Sequence, residues 1–219
     1  ILSHEVTNRE FARFIESSQY QTDAERLHHG QVAFVGMQDW EWNIDETAYW
    51  RFPHGAEGPC VDSLPDYPVT QITYNDAVAF CEWAGVRLPT LEEWEVAARA
   101  GATDLYPWGS EFILDGEHRA NIWQGSGHET NSMEDGFLYV APIKSFPPNA
   151  WGLYDVIGNV FEYCQGQVVP DGAERNFACA RGGSWWCSFS TCGFFNLVDI
   201  GSANRLASLS NQGFRVVKE

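Results

Sequence analysis

Arg181-Gly182-Gly183-Ser184-Trp185-Trp186-Cys187-Ser188-Phe189-Ser190-Thr191-Cys192 is the stretch from which the rest of the chain is best read. Gly-Gly-Ser makes a turn, and two thiols five positions apart follow it. Such a pair either clamps a soft metal ion or closes a small disulfide. The first outcome suits an oxidase, the second a folded binding module.

Working outward, composition narrows the classes. The 219 residues make one large domain or two small ones. No internal repeat or low-complexity linker divides them, so a single domain over residues 1–219 is expected. Hydrophobic content of 44% and ten Trp supply a core. No run of 18 apolar residues occurs, so no membrane span is expected. Ile1-Leu2-Ser3-His4-Glu5 has neither a charged n-region nor an apolar h-region, so no signal peptide is visible, and there is no initiator Met. A soluble protein is expected, with bacterial cytoplasm and a secretory compartment both open. The formal charge of −17 disfavours nucleic acid. It suits plain solubility, or hard cations such as Ca²⁺ held by carboxylates and carbonyls. Six Cys are too sparse for a disulfide scaffold.

Few regular helices can be read. Thr7 and Glu10 form a capping box before Phe11, Phe14 and Ile15, predicting a helix over roughly residues 8 to 17. Asn75 or Asp76 is expected to cap a second helix carrying Val78, Phe80, Cys81 and Trp83, with Gly85 past its end. Cys81 falls on its apolar pattern and reads as a buried free thiol. Thr90 and Glu93 form another box, and the helix from Leu91 to Arg99 should turn Trp94, Val96 and Ala97 inward and stop at Gly101. Short strands are expected at Pro68 to Thr73, Ala180 to Ser184 and Gly213 to Val217. Residues 100 to 180 are dense in Gly, Pro, Asn and Trp and read as loop. So much loop in a compact chain is usually functional or metal-braced.

Several segments carry a resemblance. They are Glu5-Val-Thr-Asn-Arg-Glu-Phe11, Pro68-Val-Thr-Gln-Ile-Thr-Tyr-Asn-Asp76, Trp83-Ala-Gly-Val-Arg-Leu-Pro-Thr90, Tyr106-Pro-Trp-Gly109, Ala120-Asn-Ile-Trp-Gln-Gly125, Gly152-Leu-Tyr-Asp-Val-Ile-Gly-Asn159, Arg181-Gly-Gly-Ser184 and Asn211-Gln-Gly-Phe-Arg215. In this order the chain resembles the formylglycine-generating enzyme (sulfatase-modifying factor) family. The resemblance implies an α+β class: a modified C-type-lectin-like fold with little regular secondary structure. The family's first strands, which precede the Glu-Val-Thr-Asn segment, have no counterpart here. Either the numbering starts inside the domain or the fold lacks an edge.

By that resemblance, Cys187 and Cys192 would bind Cu(I), which is soft and accepts two thiolates. A Cys thiol of a peptide, protein or small molecule would join them, and O₂ would oxidise its β-carbon to an aldehyde. Ser184 would orient oxygen or a proton-transfer water. Two Ca²⁺ sites are implied as well. The first uses Asn121, Ile122, Asp135 and Phe137; the second uses Asp155, Gly158, Val160 and Glu162. Their role would be to brace loops.

The chain also departs from the family. An Arg-rich stretch that follows the second Cys and helps bind the sulfatase motif Cys-x-Pro-x-Arg is here Gly193 to Ile200. Its arginines are replaced by Phe194, Asn196 and Ile200, which cannot make bidentate hydrogen bonds. A family Trp near the groove is Phe161. With Trp185 and Trp186, these residues would line a groove for a less polar or smaller substrate. The family's disulfides look absent: Val216 stands opposite Cys81, and Ala97 faces Leu197. The pairing of Cys60, Cys81, Cys164 and Cys179 stays open. The resemblance also covers silent paralogues and a pyoverdine-maturation oxidase. A non-catalytic lectin-like binding module and a tailoring oxidase of the pyoverdine kind are therefore the alternatives. His28, His29, His54, His118 and His128 lack metal-motif spacing and mostly read as surface residues.

Overall fold

The computed structural model describes residues 1–38, 41–168 and 177–218, with Gln167 and Val168 through their backbone only. Four helices, α1 (Asn8–Ser18), α2 (Asp23–Leu27), α3 (Tyr74–Ala84) and α4 (Leu91–Arg99), account for the α-helical residues among them. The strands are short: β1 (Gly30–Val32), β2 (Asn43–Asp45), β3 (Ile113–Leu114), β4 (Glu117–His118), β5 (Phe161–Val168), β6 (Phe177–Arg181), β7 (Gly201–Asn204), β8 (Ser208–Leu209) and β9 (Gln212–Gly213). The chain is thus α+β with little regular secondary structure. Among the described residues, no helix is long and apolar enough to cross a membrane.

Each helix starts on a capping box. Thr7, Thr22, Thr73 and Thr90 accept from the N–H three residues on, and Glu10, Glu25, Asp76 and Glu93 reach back to the cap. α3, capped by Thr73, therefore starts earlier than a cap at Asn75 or Asp76 would place it. Asp76 is the returning carboxylate rather than the cap. α4 stops as expected, with Ala100 in the left-handed region at φ 47° just before Gly101. Its inward face is Trp94, Ala97 and Ala98. Val96 is 58% exposed, because it lies on the opposite side of the helix.

The expected strands shift. Residues 68 to 73 make only an isolated bridge, Thr7 to Pro68. β6 ends at Arg181, since Gly182 and Gly183 both take positive φ and break the ladder. At the far end, only Gln212 and Gly213 are strand, and Val217 bridges Arg87.

The sheet that carries the site has order β7-β6-β5-β9, antiparallel except for the parallel β5–β9 pair. On one side, α1 and α3 pack Phe11, Phe14, Phe80 and Phe214 into an aromatic core. On the other, Trp94, Ile122, Ile157, Cys164, Cys179, Cys187 and Leu197 form a second core. Trp123, Trp185 and Trp186 form a third. The N-terminal segment is stitched to the C-terminal one: Leu2 N–H donates to Val216 O and Val6 N–H to Phe214 O, each at 2.8 Å. All six cysteines are free, and Cys81 is buried as expected.

Candidate functional site

The thiol loop leaves β6 through Gly182 and Gly183. A Cβ on Gly183 would lie 2.5 Å from Phe195 Cα, so only glycine lets the loop pass under the returning chain. Cys187 N–H then closes a turn on Ser184 O at 2.9 Å, and Trp123 N–H clamps Cys187 O at 2.8 Å. Ser188 and Thr191 share a hydroxyl hydrogen bond at 2.9 Å, which bends the chain back. The two thiols meet as a result. Arg181, fully buried, holds the far side by donating to Leu197 O, Val198 O and Glu95, with its guanidinium 5.3 Å from the Trp94 ring centre.

The two sulfurs are not equivalent. Cys187 is buried among core residues, and burial pushes its thiol well up, with its hydrogen bond to Cys192 adding to the effect. Cys192 is half-buried and is lowered, first by accepting that hydrogen bond and then by the Phe194 N–H. The contact between the two thiols thus raises Cys187 and lowers Cys192. Ser184 Oγ lies 3.8 Å from Cys187 Sγ and accepts from Asn211 Nδ2 at 2.9 Å. Two adjacent, reduced thiols with no hard ligand between them are a donor set that fits Cu(I).

Cys192 opens on a cavity of about 210 Å³ walled by Trp42, Phe161, Trp186, Asn211 and the start of β7. Phe161 and Trp186 are thus brought to the thiol. Trp185 is turned inward, its Nε1–H on Ser210 O at 3.2 Å. Phe194 lies outside this cavity and is 42% exposed. Asn196 is buried and caps its own loop, accepting from Val198 and Asp199 N–H at 2.8 Å each. Ile200 is likewise exposed. Asn211 was not singled out in the sequence, although it opens the Asn211-to-Arg215 motif. His128, read as a surface residue, is buried instead. It stacks on Trp186 at 3.5 Å between ring centres.

Of the residues expected to hold Ca²⁺, the first set converges. Asp135 accepts from the N–H of Ile122 (3.2 Å) and Phe137 (2.9 Å), and Asn121 Nδ2 donates to Tyr139 O and Asn159. Gln124 Nε2 donates to both Ile122 O and Asp135 Oδ2, while its buried Oε1 has no partner. One positively polarised group already sits between two oxygens, with a third oxygen unsatisfied beside it. That arrangement fits a hard cation.

The second set is more crowded. Glu162 accepts from Arg215 through both oxygens, at 2.5 and 2.6 Å, and from Trp94 Nε1 at 2.7 Å. Its lone pairs are largely used. Asp155 Oδ2 accepts from Lys144 N–H at 2.6 Å, but its Oδ1 is buried without a partner. Glu5, not expected from the sequence, joins here. Its Oε1 accepts from Asn159 at 2.9 Å and its Oε2 is a second buried orphan. Burial, then Asp155 and Glu162, push Glu5 well up, and burial takes Asp155 to about 6. Two orphaned carboxylate oxygens that resist ionising also fit a cation. Among the described residues, no three His, Cys, Asp or Glu side chains alone form a metal cluster. Either set would need carbonyl oxygens to complete the ligands of a cation.

Residues 1–219 match the family model described as the sulfatase-modifying factor enzyme 1-like domain. The chain is 38% identical to the formylglycine-generating enzyme of Thermomonospora curvata, covering 96% of this chain and 78% of that one. It is 39% identical to the bovine protein named inactive Cα-formylglycine-generating enzyme 2, over 82% of this chain and 63% of the relative. Among solved structures it is similar in fold to PvdO from Pseudomonas aeruginosa, with a TM-score of 0.66 and 22% identity, covering 98% of this chain and 77% of that one.

Proposed function

Since this chain belongs to the sulfatase-modifying factor enzyme 1-like family, we propose that it is an O₂-using oxidase that converts a Cys thiol to an aldehyde with Cu(I) held by Cys187 and Cys192. The observation that carries this reading is the asymmetric thiol pair. Cys187 is buried and Cys192 faces a cavity, and each tunes the other. Bound there, Cu(I) would supply the one-electron chemistry toward O₂ that side chains lack. The remaining steps fall to the chain's own residues. Cys192, already lowered in pKa, is the sulfur a substrate thiol meets first. Ser184 accepts from Asn211 and shares its own hydrogen with Cys187 Sγ, so Asn211 fixes where that proton points. Trp185 and Trp186, which precede Cys187, are buried with it.

The substrate is a Cys-bearing peptide, protein or related small molecule, and not the usual sulfatase motif. Phe194, Asn196 and Ile200 offer no guanidinium to it, and a Cys-x-Pro-x-Arg peptide should turn over poorly. Calcium would brace the loops that frame the site. Asn121, Ile122, Asp135 and Phe137 would hold one ion. Asp155, Gly158, Val160 and Glu162 would hold the other, with Glu5 beside them.

Titration of the reduced chain with Cu(I) against a competing chelator tests the reading. One Cu(I) per chain is expected, lost in Cys187→Ser and in Cys192→Ser. A wild type that takes up no Cu(I) refutes it. A second reading, a silent binding module, draws on the 39% identity to a relative named inactive, matched over 82% of this chain, and the same titration separates the two.

A further inference from the structure

The cavity at Cys192 is small, and its walls restrict what it can take. Ligand pockets commonly span about 300–1,000 Å³, and this one holds about 210 Å³. Three aromatic rings stand around it, those of Trp42, Phe161 and Trp186. Trp42 and Trp186 meet at 6.3 Å between ring centres, tilted by 52°, and make one corner. His128 stacks flat on Trp186 at 3.5 Å and holds that ring in place. Phe161 is seated against the bare backbone of Gly201, where a Cβ would come within 2.9 Å of the ring. Rings fixed around so small a space attract a cation through their negative faces.

The hydrogen-bonding groups point the same way. Asn211 Nδ2 already donates to Ser184 Oγ at 2.9 Å, and Gln212 Nε2 to Phe161 O at 3.1 Å. Asn211 Oδ1 accepts nothing, although the residue is only 4% exposed. The wall thus has an acceptor to spare, and a ligand that fills the cavity brings the donor. Among the described residues that line it, Cys192 is the one group that ionises. No Lys or Arg there repels a cation, and no carboxylate there holds one already. The formal charge of −17 draws cations to the chain from solution. A neutral amide N–H would satisfy Asn211 alone. An ammonium satisfies Asn211 and the rings together.

We propose that the thiol taken up here belongs to a small aminothiol, bound through its free ammonium group. The ammonium donates to Asn211 Oδ1 and lies among Trp42, Phe161 and Trp186, while the sulfur lies beside Cys192. The substrate class is thereby narrowed to small cationic thiols. The assignment rests on the oxidase reading and on Cys192 as the residue that meets the substrate.

The test needs no metal. Three symmetrical disulfides serve as probes. Cystamine carries ammonium groups, N,N′-diacetylcystamine keeps the N–H without the charge, and 3,3′-dithiodipropionate carries carboxylates. The Cys192 thiolate attacks one sulfur of the probe. A new S–S bond forms, the old one breaks, and the other half leaves as a thiolate with the electron pair. The Cys187→Ser background keeps the second thiol from expelling the adduct, and mass spectrometry locates it at Cys192. Each rate is divided by that of N-acetylcysteine methylamide with the same probe, which removes the probe's own reactivity. Rates are taken at about 1 M salt, where the screening length is about 3 Å and the pull of the whole acidic chain is suppressed. Cystamine should then be favoured over each other probe by at least about tenfold, the worth of one desolvated cation–π contact. Phe161→Leu and Trp42→Leu should each cut that preference severalfold, with little change for diacetylcystamine. Equal normalised rates for cystamine and diacetylcystamine overturn the aminothiol assignment and leave the oxidase reading to the Cu(I) titration. A preference unchanged in both Leu variants overturns it as well, since the rings would then play no part. If no probe modifies Cys192, the assignment of that residue falls, and aminothiol selection with it.

Discussion

Replacing Gly183 by Ala should be far more damaging than one methyl group suggests. Gly183 has φ 77°, a left-handed conformation that costs a side-chain-bearing residue about 1–2 kcal/mol. The new Cβ would also sit 2.5 Å from Phe195 Cα and 2.8 Å from Phe195 N, so backbone rather than a flexible side-chain end must move. Overpacking of that kind adds about 1–3 kcal/mol. The sum, about 2–5 kcal/mol, is a large part of the roughly 5–15 kcal/mol that holds a domain folded. For a chain of this size it corresponds to a melting temperature lower by roughly 4–20 °C. Two controls separate the terms. Gly101→Ala carries only the dihedral cost, since φ is 92° with nothing within 4 Å, and Gly193→Ala should be near neutral, with open space and no positive φ. Urea denaturation of the three variants gives the comparison. The displaced Phe195 adjoins Phe194, whose N–H lowers Cys192, so Gly183→Ala should also make Cys192 less acidic in an alkylation assay. If Gly183→Ala and Gly101→Ala cost the same within about 0.5 kcal/mol, the close approach of the two loop limbs is wrong.

Arg215→Met leaves Glu162 buried without its cation and should cost about 3–5 kcal/mol in chemical denaturation; a loss below about 1 kcal/mol would contradict the burial of that pair. Iodoacetamide at neutral pH should label Cys192 before Cys187, with a half-maximal rate below the pH usual for a free thiol, and peptide mapping reads the order. In the metal-free chain, Asp155 titrates near pH 6 against about 3.9 when unfolded. The folded state therefore binds more protons across that window, and stability should fall as pH rises from about 4 to 6. Calcium should raise the melting temperature more at pH 7 than at pH 5, and a calcium response that does not depend on pH would rule out a role for Asp155.

Much of this was open to reading in one dimension, and the failures share a cause. Thr7 with Glu10 and Thr90 with Glu93 announce their helices because a capping box is local. The box at Thr73 hides because Asp76 replaces the usual Glu and is itself a plausible cap. Thr22 and Glu25 carry the same signal, but α2 is too short to show an apolar period. The thiol pair is ambiguous by spacing and reads as a site only through its place after Gly-Gly-Ser; Phe161 and Trp186 line the cavity beside it. Glu5 and Asn211 could not be placed that way. Glu5 meets Asn159 across 154 residues, and Asn211 meets Ser184 across 27. Nothing in the local pattern records such closures. Val96 was misassigned for a simpler reason: an apolar residue on a short helix need not face the core.

The stitching of Leu2 and Val6 to Val216 and Phe214 has a bearing on how the chain reaches its fold. α1 buries Phe11 and Phe14 in the core that Phe214 completes. On a ribosome, that core would stay open until nearly the whole of this segment had emerged. Contacts of such long sequence separation close slowly, and in the interval the aromatic face of α1 is uncovered. A newly made chain therefore exposes that aromatic face for as long as synthesis of the segment lasts.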